Sequence, residues 1–139
     1  MAEIRYAANA DKVFWFTLDN HMSEDEFLLK VRDKRAYIIS DDNKPIGVMR
    51  YNLFWDNTPF LTLIHFEDAY QGKGFGRQAM LAWEKEMREL GYKMVMTSTQ
   101  VNEQAQHFYR KLGYVEKGCL SFDNTPLEQP MEMFLLKSL

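Results

Sequence analysis

An α/β (α+β) fold, one mixed sheet covered by helices, is predicted by three observations. Short β-branched and aromatic runs recur between turn clusters, the pattern expected of strands. Between them, apolar residues at steps of three and four mark helices, and the two later helical stripes each meet a glycine where they stop. The resulting order is strand, two helices, three strands, helix, strand, helix and two strands. Elements in that order hide their apolar faces when the helices lie on the sheet.

Ile4-Arg5-Tyr6 reads as a short first strand, followed by an amphipathic segment from about Asp11 to Leu18 in which Val13, Phe14 and Phe16 are apolar. Ser23 stands three residues before Glu26, the reciprocal pair that satisfies two orphan amides at a helix start, which predicts a helix over about Ser23 to Asp33. Ala36 to Ile39 and Ile46 to Tyr51 flank the turn cluster Asp41-Asp42-Asn43-Lys44-Pro45 and predict an antiparallel hairpin. The turn signal Asp56-Asn57-Thr58-Pro59 then precedes a strand from Phe60 to Phe66.

From Arg77 onward, Met80, Trp83, Met87 and Leu90 form a helical stripe closed by Gly91. Lys93 to Thr99 is the next strand. Asn102 is suited to cap a second helix with the stripe Ala105, Phe108 and Leu112, closed by Gly113. Tyr114 to Leu120 and Met131 to Leu136 read as the last two strands. No repeat or linker interrupts the chain, so residues 1–139 are expected to form a single domain.

Composition narrows the function classes. A chain of 139 residues can bury a core without a metal or disulfide staple, and its single cysteine cannot form an internal bridge. No basic-then-apolar leader opens it, which together with the lone thiol gives a cytoplasmic expectation. Apolar runs such as Phe60 to Ile64 are far short of the roughly 20 residues a membrane span needs. The net charge of -3 argues against binding nucleic acid by bulk charge.

The segment that carries chemistry is Gln71-Gly72-Lys73-Gly74-Phe75-Gly76-Arg77, between the strand ending near Phe66 and the helix that follows. Successive amides leading into a helix N-terminus suit a phosphate or pyrophosphate, and Lys73 and Arg77 add positive charge. A P-loop would need Ser or Thr after Gly72-Lys73, where Gly74 stands; a dinucleotide fingerprint would need a glycine where Arg77 stands. A turn that binds nothing is the plainer alternative. Lys73-Gly74-Phe75-Gly76 also opens like the RNA-binding strand signature, but Arg77 and Gln78 replace its Phe and Val.

The run resembles the pyrophosphate-binding motif of the GNAT superfamily of N-acetyltransferases: Gln or Arg, two residues, Gly, one residue, then Gly or Ala. Gln71, Gly74 and Gly76 fill it. Asn102 to Tyr114 is similar to the family's later motif, Asn-x-x-Ala-x-x-x-Tyr-x-x-x-Gly-Phe/Tyr, with Ala105, Tyr109 and Gly113 in register. The resemblance implies a mostly antiparallel sheet, splayed in the middle and flanked by about four helices, with acetyl-CoA lying in the V. Backbone groups of Ile64, His65 and Phe66 would hold the pantetheine arm, Gly72 through Arg77 the pyrophosphate, and Asn102 would help orient the cofactor. Tyr109 would protonate the departing thiolate, and the acetyl group would pass directly to a primary amine, a small molecule or a protein N-terminus or lysine.

A base must still take a proton from an amine that is mostly ammonium at neutral pH. Some family members carry a glutamate in the strand after the first cofactor helix; this chain has Met94, Val95, Met96 and Thr97 there. Glu67, just past the Phe66 strand, is the candidate base, with a solvated loop glutamate as the alternative. Without the resemblance, Tyr109 reads as a core aromatic. His65 alternates with Ile64 and Phe66, so its side chain points to the opposite face, and it reads as a structural histidine. No His or Cys cluster with ligand spacing occurs, so no metal is expected.

Cys119 reads as a small apolar strand residue, with a covalent acetyl-cysteine route as the sharper alternative. Trp15, Phe16, Tyr51, Phe54 and Trp55 fall where the family lines its acceptor side, although core packing explains most of them. The long connection Asp123 to Pro130 is placed to cover the acceptor or to support a homodimer. A CoA-binding domain that regulates without catalysis is the other reading that this pattern accommodates.

Overall fold

The computed structural model describes residues 1–139. Seven strands form one sheet: β1 (Ala2–Tyr6), β2 (Ala36–Asp41), β3 (Lys44–Phe54), β4 (Thr58–Phe66), β5 (Met94–Gln100), β6 (Val115–Leu120) and β7 (Glu132–Ser138). Four α-helices accompany them: α1 (Lys12–Leu18), α2 (Glu24–Arg32), α3 (Phe75–Glu89) and α4 (Ala105–Lys111). The spatial order is β1-β2-β3-β4-β5-β7-β6. Every neighbouring pair is antiparallel except β4 and β5, whose parallel alignment requires a crossover, supplied by α3.

Strand alternation divides the core between the two faces of the sheet. Ala36, Ile38 and Val48 face one side and pack with Trp15 of α1 and Phe27 of α2. Tyr37, Ile39, Met49 and Leu61 face the other, where Ala79, Met80, Trp83 and Met87 of α3 and Tyr109 and Leu112 at the end of α4 cover them. The helical stripe predicted from Met80 onward is therefore the core face of α3, but Leu90 is its C-cap and is 58% exposed. Gly91 beyond it has φ 93°, the left-handed stop that the sequence predicts.

The sheet opens in its middle. Only Phe60↔Met96 and Leu61↔Thr97 pair across β4 and β5, so the strands part beyond Leu61. A bulge lies at the same place: Arg50 pairs with Leu63 and Tyr51 with Leu61, leaving Thr62 as an extra residue that bends β4. Arg50 secures the bulge, donating from Nη1 to Thr62 Oγ1 at 3.0 Å.

Several local expectations change. Ser23 Oγ accepts from Glu26 N–H at 3.2 Å, so the serine arm of the α2 cap forms, with Ser23 as N-cap. The β2–β3 turn is tighter than the Asp41–Pro45 cluster suggests, with Asp42 and Asn43 both at positive φ as a two-residue hairpin turn requires. The next hairpin turns at Trp55–Asn57, with Trp55 and Asp56 at positive φ, and Pro59 lies inside β4. A proline so near the start of a strand is tolerated there despite its missing amide. Asn102 is not the cap of α4: the N-cap is Gln104, and Asn102 sits two residues earlier in the turn. Cys119 is no core filler. It lies on β6, an edge strand exposed along its whole length, and is itself exposed.

One buried polar group connects the halves. Glu84 of α3 is fully buried, accepting from Tyr114 Oη at 2.8 Å and from Lys137 Nζ of β7 at 2.7 Å. Burial, with the Glu84 carboxylate next, pushes the Tyr114 hydroxyl far above its usual range and keeps it a donor.

Candidate active site

The open V exposes backbone groups in a defined order. Glu67 N–H donates to Ile46 C=O of β3 at 2.9 Å. Counting back along the antiparallel ladder, His65 also turns its backbone toward β3, whereas Ile64 and Phe66 turn theirs toward the gap. Gln71 Nε2 donates to Phe66 C=O at 3.0 Å, which fixes the start of the following loop against the strand. The amides of Ile64 and Phe66 thus point into a space where β5 no longer pairs.

The glycine loop leads from the end of β4 into α3. Gly72 and Gly74 have φ 72° and 85°, and Gly74 is the N-cap of α3. Nothing lies within 4 Å of a Cβ built on either, so their backbone faces open space. At Gly76 the surroundings are different: an added Cβ would come 3.3 Å from Phe108 Cζ, so glycine lets the first turn of α3 approach α4. The amides at this helix start carry the positive end of the macrodipole, and Arg77 adds a full charge.

A cleft of about 560 Å³ joins these parts. Ile64, His65 and Phe66 line it from β4; Gln71, Gly72, Gly74, Gly76 and Arg77 from the loop and α3; and Tyr109 from α4. Lys73, Phe75, Asn102 and Glu67 do not. Lys73 is exposed at the loop tip. Phe75 turns inward beside Tyr70, with ring centroids 5.9 Å apart, and Asn102 lies in the turn before α4. Glu67 stands past the end of β4 as the cap of the short 3-10 turn Asp68–Tyr70.

Three further lining residues were not among the expected site residues: Tyr70, Ala105 and Phe108. Ala105 and Phe108 belong to the apolar stripe of α4, which reads as core until the splay exposes one side of it. Tyr109 is buried to 7% exposure between Phe108 and Tyr114, with centroid distances of 5.2 and 5.7 Å. Burial raises its hydroxyl pKa, against a smaller lowering effect of Thr97, and holds it protonated at neutral pH.

A family model described as the acetyltransferase (GNAT) family matches residues 2–114. The chain belongs to the GNAT acetyltransferase family. Solved structures share the fold at low sequence identity. Ard1 from Thermoplasma volcanium superposes with a TM-score of 0.83 at 14% identity, over 99% of this chain and 97% of that one. A GNAT family acetyltransferase from Elizabethkingia anophelis with acetyl-CoA bound gives 0.79 at 18%, over 99% and 98%. The ribosomal-protein-S18-alanine N-acetyltransferase from Escherichia coli gives 0.80 at 16%, over 99% and 94%. No curated protein sequence matches the chain.

This GNAT acetyltransferase has a second, smaller cavity of about 260 Å³ on the α1 side of the sheet. Phe16 to His21, at the end of α1 and in the loop after it, line it together with Leu63 and His65 of β4. Asp19 anchors the loop: Oδ2 accepts from Trp15 Nε1 at 3.0 Å and from Arg50 Nε at 2.9 Å, and Oδ1 accepts from His21 N–H at 3.1 Å. Burial alone would push the Asp19 carboxyl up, but these donors outweigh it and hold its pKa below the ordinary aspartate value. Among the aromatics expected near an acceptor, only Phe16 lines this cavity. Trp15 and Tyr51 are buried in the core, and Trp55 is 81% exposed at the hairpin turn.

Proposed function

We propose that the protein is an acetyl-CoA-dependent N-acetyltransferase that moves the acetyl group directly to a primary amine. The observation that carries this reading is the convergence of three features on one cleft: the unpaired amides of Ile64 and Phe66, the glycine loop at the start of α3, and the Tyr109 hydroxyl. A thioester with a pyrophosphate at the far end of its arm has the chemistry to use all three. The amides at Gly74 to Gly76 and the Arg77 guanidinium would hold the pyrophosphate, and the β4 edge would hold the amide-rich arm.

Transfer requires little else from the chain. The Ile64 or Phe66 amide, already free of ladder bonds, stabilises the carbonyl oxygen as it gains charge, without reorganisation. Tyr109 gives its proton to the thiolate that leaves. Cys119, exposed on β6, lines neither cavity, so a covalent acetyl-cysteine step has no place in this reading. The RNA-binding strand reading fails because Phe75 and Gly76 begin α3 and form no strand.

The test is titration with acetyl-CoA, followed by release of free thiol in the presence of spermidine or a peptide with an N-terminal alanine. Micromolar binding and amine-dependent thiol release are expected; absence of binding overturns the proposal. Binding with no turnover on any primary amine favours a CoA-binding regulatory domain. A second expectation concerns the cradle. Gly74→Val places a β-branched residue at φ 85°, a conformation costing an L-residue about 1–2 kcal/mol, and puts a side chain over the open amides. Acetyl-CoA affinity is expected to fall at least tenfold by calorimetry, with a lower urea midpoint.

A further inference from the structure

Alternation breaks once along β4, at the place where the cleft begins. Leu61 packs in the α3-side core, yet Leu63, two residues on, packs against the cluster of Trp15, Phe27 and Val48 on the α1 side. In an unbroken strand the two would share a face. The extra residue is Thr62, and it also sets where the backbone points. Tyr51 N–H donates to Arg35 C=O at 3.1 Å, so Tyr51 and its partner Leu61 turn their backbones away from each other. Counting on from Leu61 without the extra residue would turn Ile64 and Phe66 toward β3; with it, they face the gap. We infer that Arg50 is a positioning residue for acetyl transfer, bracing this bulge from the α1 side and so holding the Ile64 amide toward the thioester carbonyl. The inference deepens the acetyl-transfer reading and rests on it.

The brace starts from a buried carboxylate. Asp19 accepts from Arg50 Nε at 2.9 Å, while Trp15 Nε1 and the His21 amide fix the same carboxylate from the α1 side. A guanidinium is a rigid fork, so once Nε is placed the other nitrogens have a set direction. Nη1 donates to Thr62 Oγ1 at 3.0 Å, and the Thr62 hydroxyl donates back to Arg50 C=O at 3.2 Å. One residue thus holds the bulge twice. Lys30 of α2 serves the facing strand, donating from Nζ to Tyr51 C=O at 2.8 Å.

Thr62 is exposed, and a hydrogen bond open to water contributes little by itself. Arg50 alters that balance, because its side chain is only 13% exposed and Asp19 has already ordered it. Without the brace the extra residue can move along the strand, and a shift by one position turns the Ile64 amide from the gap to β3. Neither Arg50 nor Thr62 lines the thioester cleft, so their effect on transfer passes through the β4 backbone. The far end of β4 has a separate anchor in the bond from Gln71 to Phe66 C=O, which leaves the glycine loop in place.

The test uses Thr62→Val and Thr62→Ser, which change an exposed side chain and leave the Asp19–Arg50 pair intact. Thr62→Val is expected to lower turnover about tenfold with spermidine and with the N-terminal alanine peptide, as misplacement of a reacting geometry does. Acetyl-CoA affinity by calorimetry should stay within about threefold of wild type, and the urea midpoint should not move. The Leu63 and His65 amides, which turn to β3, should exchange with deuterium about tenfold faster by NMR. Thr62→Ser restores the hydroxyl and should match wild type in every measurement. Arg50→Lys keeps a positive charge beside Asp19 but replaces the fork by a single ammonium; it should lose turnover as Thr62→Val does, and combining the two should cost less than about twofold more. Wild-type turnover in Thr62→Val, a loss that serine does not restore, or losses that multiply in the double variant overturn the assignment. A parallel fall in acetyl-CoA affinity and urea midpoint, the mark of general loosening, also overturns it. If the wild-type protein acetylates neither amine, it is the acetyl-transfer reading that fails, and exchange still decides the brace: unchanged Leu63 and His65 exchange in Thr62→Val overturns it whatever the turnover.

Discussion

Tyr109→Phe is expected to lower turnover about a hundredfold while leaving acetyl-CoA affinity within threefold of wild type. The substitution removes one oxygen and keeps the ring that packs between Phe108 and Tyr114. Positioned proton transfer contributes about 10² to 10⁴ in rate, and the lower end applies because a thiolate is already a good leaving group. Burial raises the Tyr109 hydroxyl pKa, so the hydroxyl carries its proton throughout the neutral range, the state that the proposed donor to the thiolate requires. The loss should therefore appear in turnover and not in binding, measured by thiol release beside calorimetric titration. Equal turnover in the two proteins would remove Tyr109 from the chemistry and leave it as a wall of the cleft. Tyr109→Phe should show no recovery as pH approaches the amine pKa, because the leaving thiolate still lacks its donor.

The parts of this site that were legible in the sequence are the local ones. Gln71 to Arg77 carries its own geometry, since glycines at positive φ leading into a helix are specified by adjacent residues. Tyr109 was legible only through its spacing from Asn102 and Gly113. Alternation correctly turned the His65 side chain away from Ile64 and Phe66. Its neighbours, however, come from the loop after α1, more than forty residues earlier in the chain, and no local pattern announces that meeting. The fold order was readable because each element has a clear period. Two features misled for physical reasons. Trp55 adopts positive φ, which its side chain gives no reason to expect, so Pro59 looked like the turn. Cys119 sits in a run that reads as a buried strand, yet β6 lies at the open edge of the sheet.

Lys137→Met is expected to cost about 3–5 kcal/mol of stability, because it leaves the Glu84 carboxylate buried with one donor in place of two. The measurement is urea unfolding without ligand. Replacing both residues, Glu84→Met with Lys137→Met, should recover part of the loss, since two apolar side chains remove the stranded charge; the deficit left over is the Tyr114 hydroxyl, about 1–3 kcal/mol when unpaired. Equal stability of Lys137→Met and wild type would show that solvent reaches Glu84. The location of the pair makes this more than a stability measurement. Glu84 belongs to α3, which leaves the β4 side of the V and carries Gly76 and Arg77 at its start. Lys137 belongs to β7, which pairs with β5 on the other side, and Tyr114 leads into β6. The two half-sheets share only two registered residue pairs across β4 and β5, besides the Thr97 Oγ1 donation to Leu61 C=O at 3.1 Å, so this ion pair is a further tie between them, placed away from the opening. Loosening it is expected to let the halves shift, and with them the spacing of the glycine loop and the Tyr109 hydroxyl. Lys137→Met should therefore also weaken acetyl-CoA binding under conditions where the variant is fully folded, although neither Lys137 nor Glu84 lines the cleft.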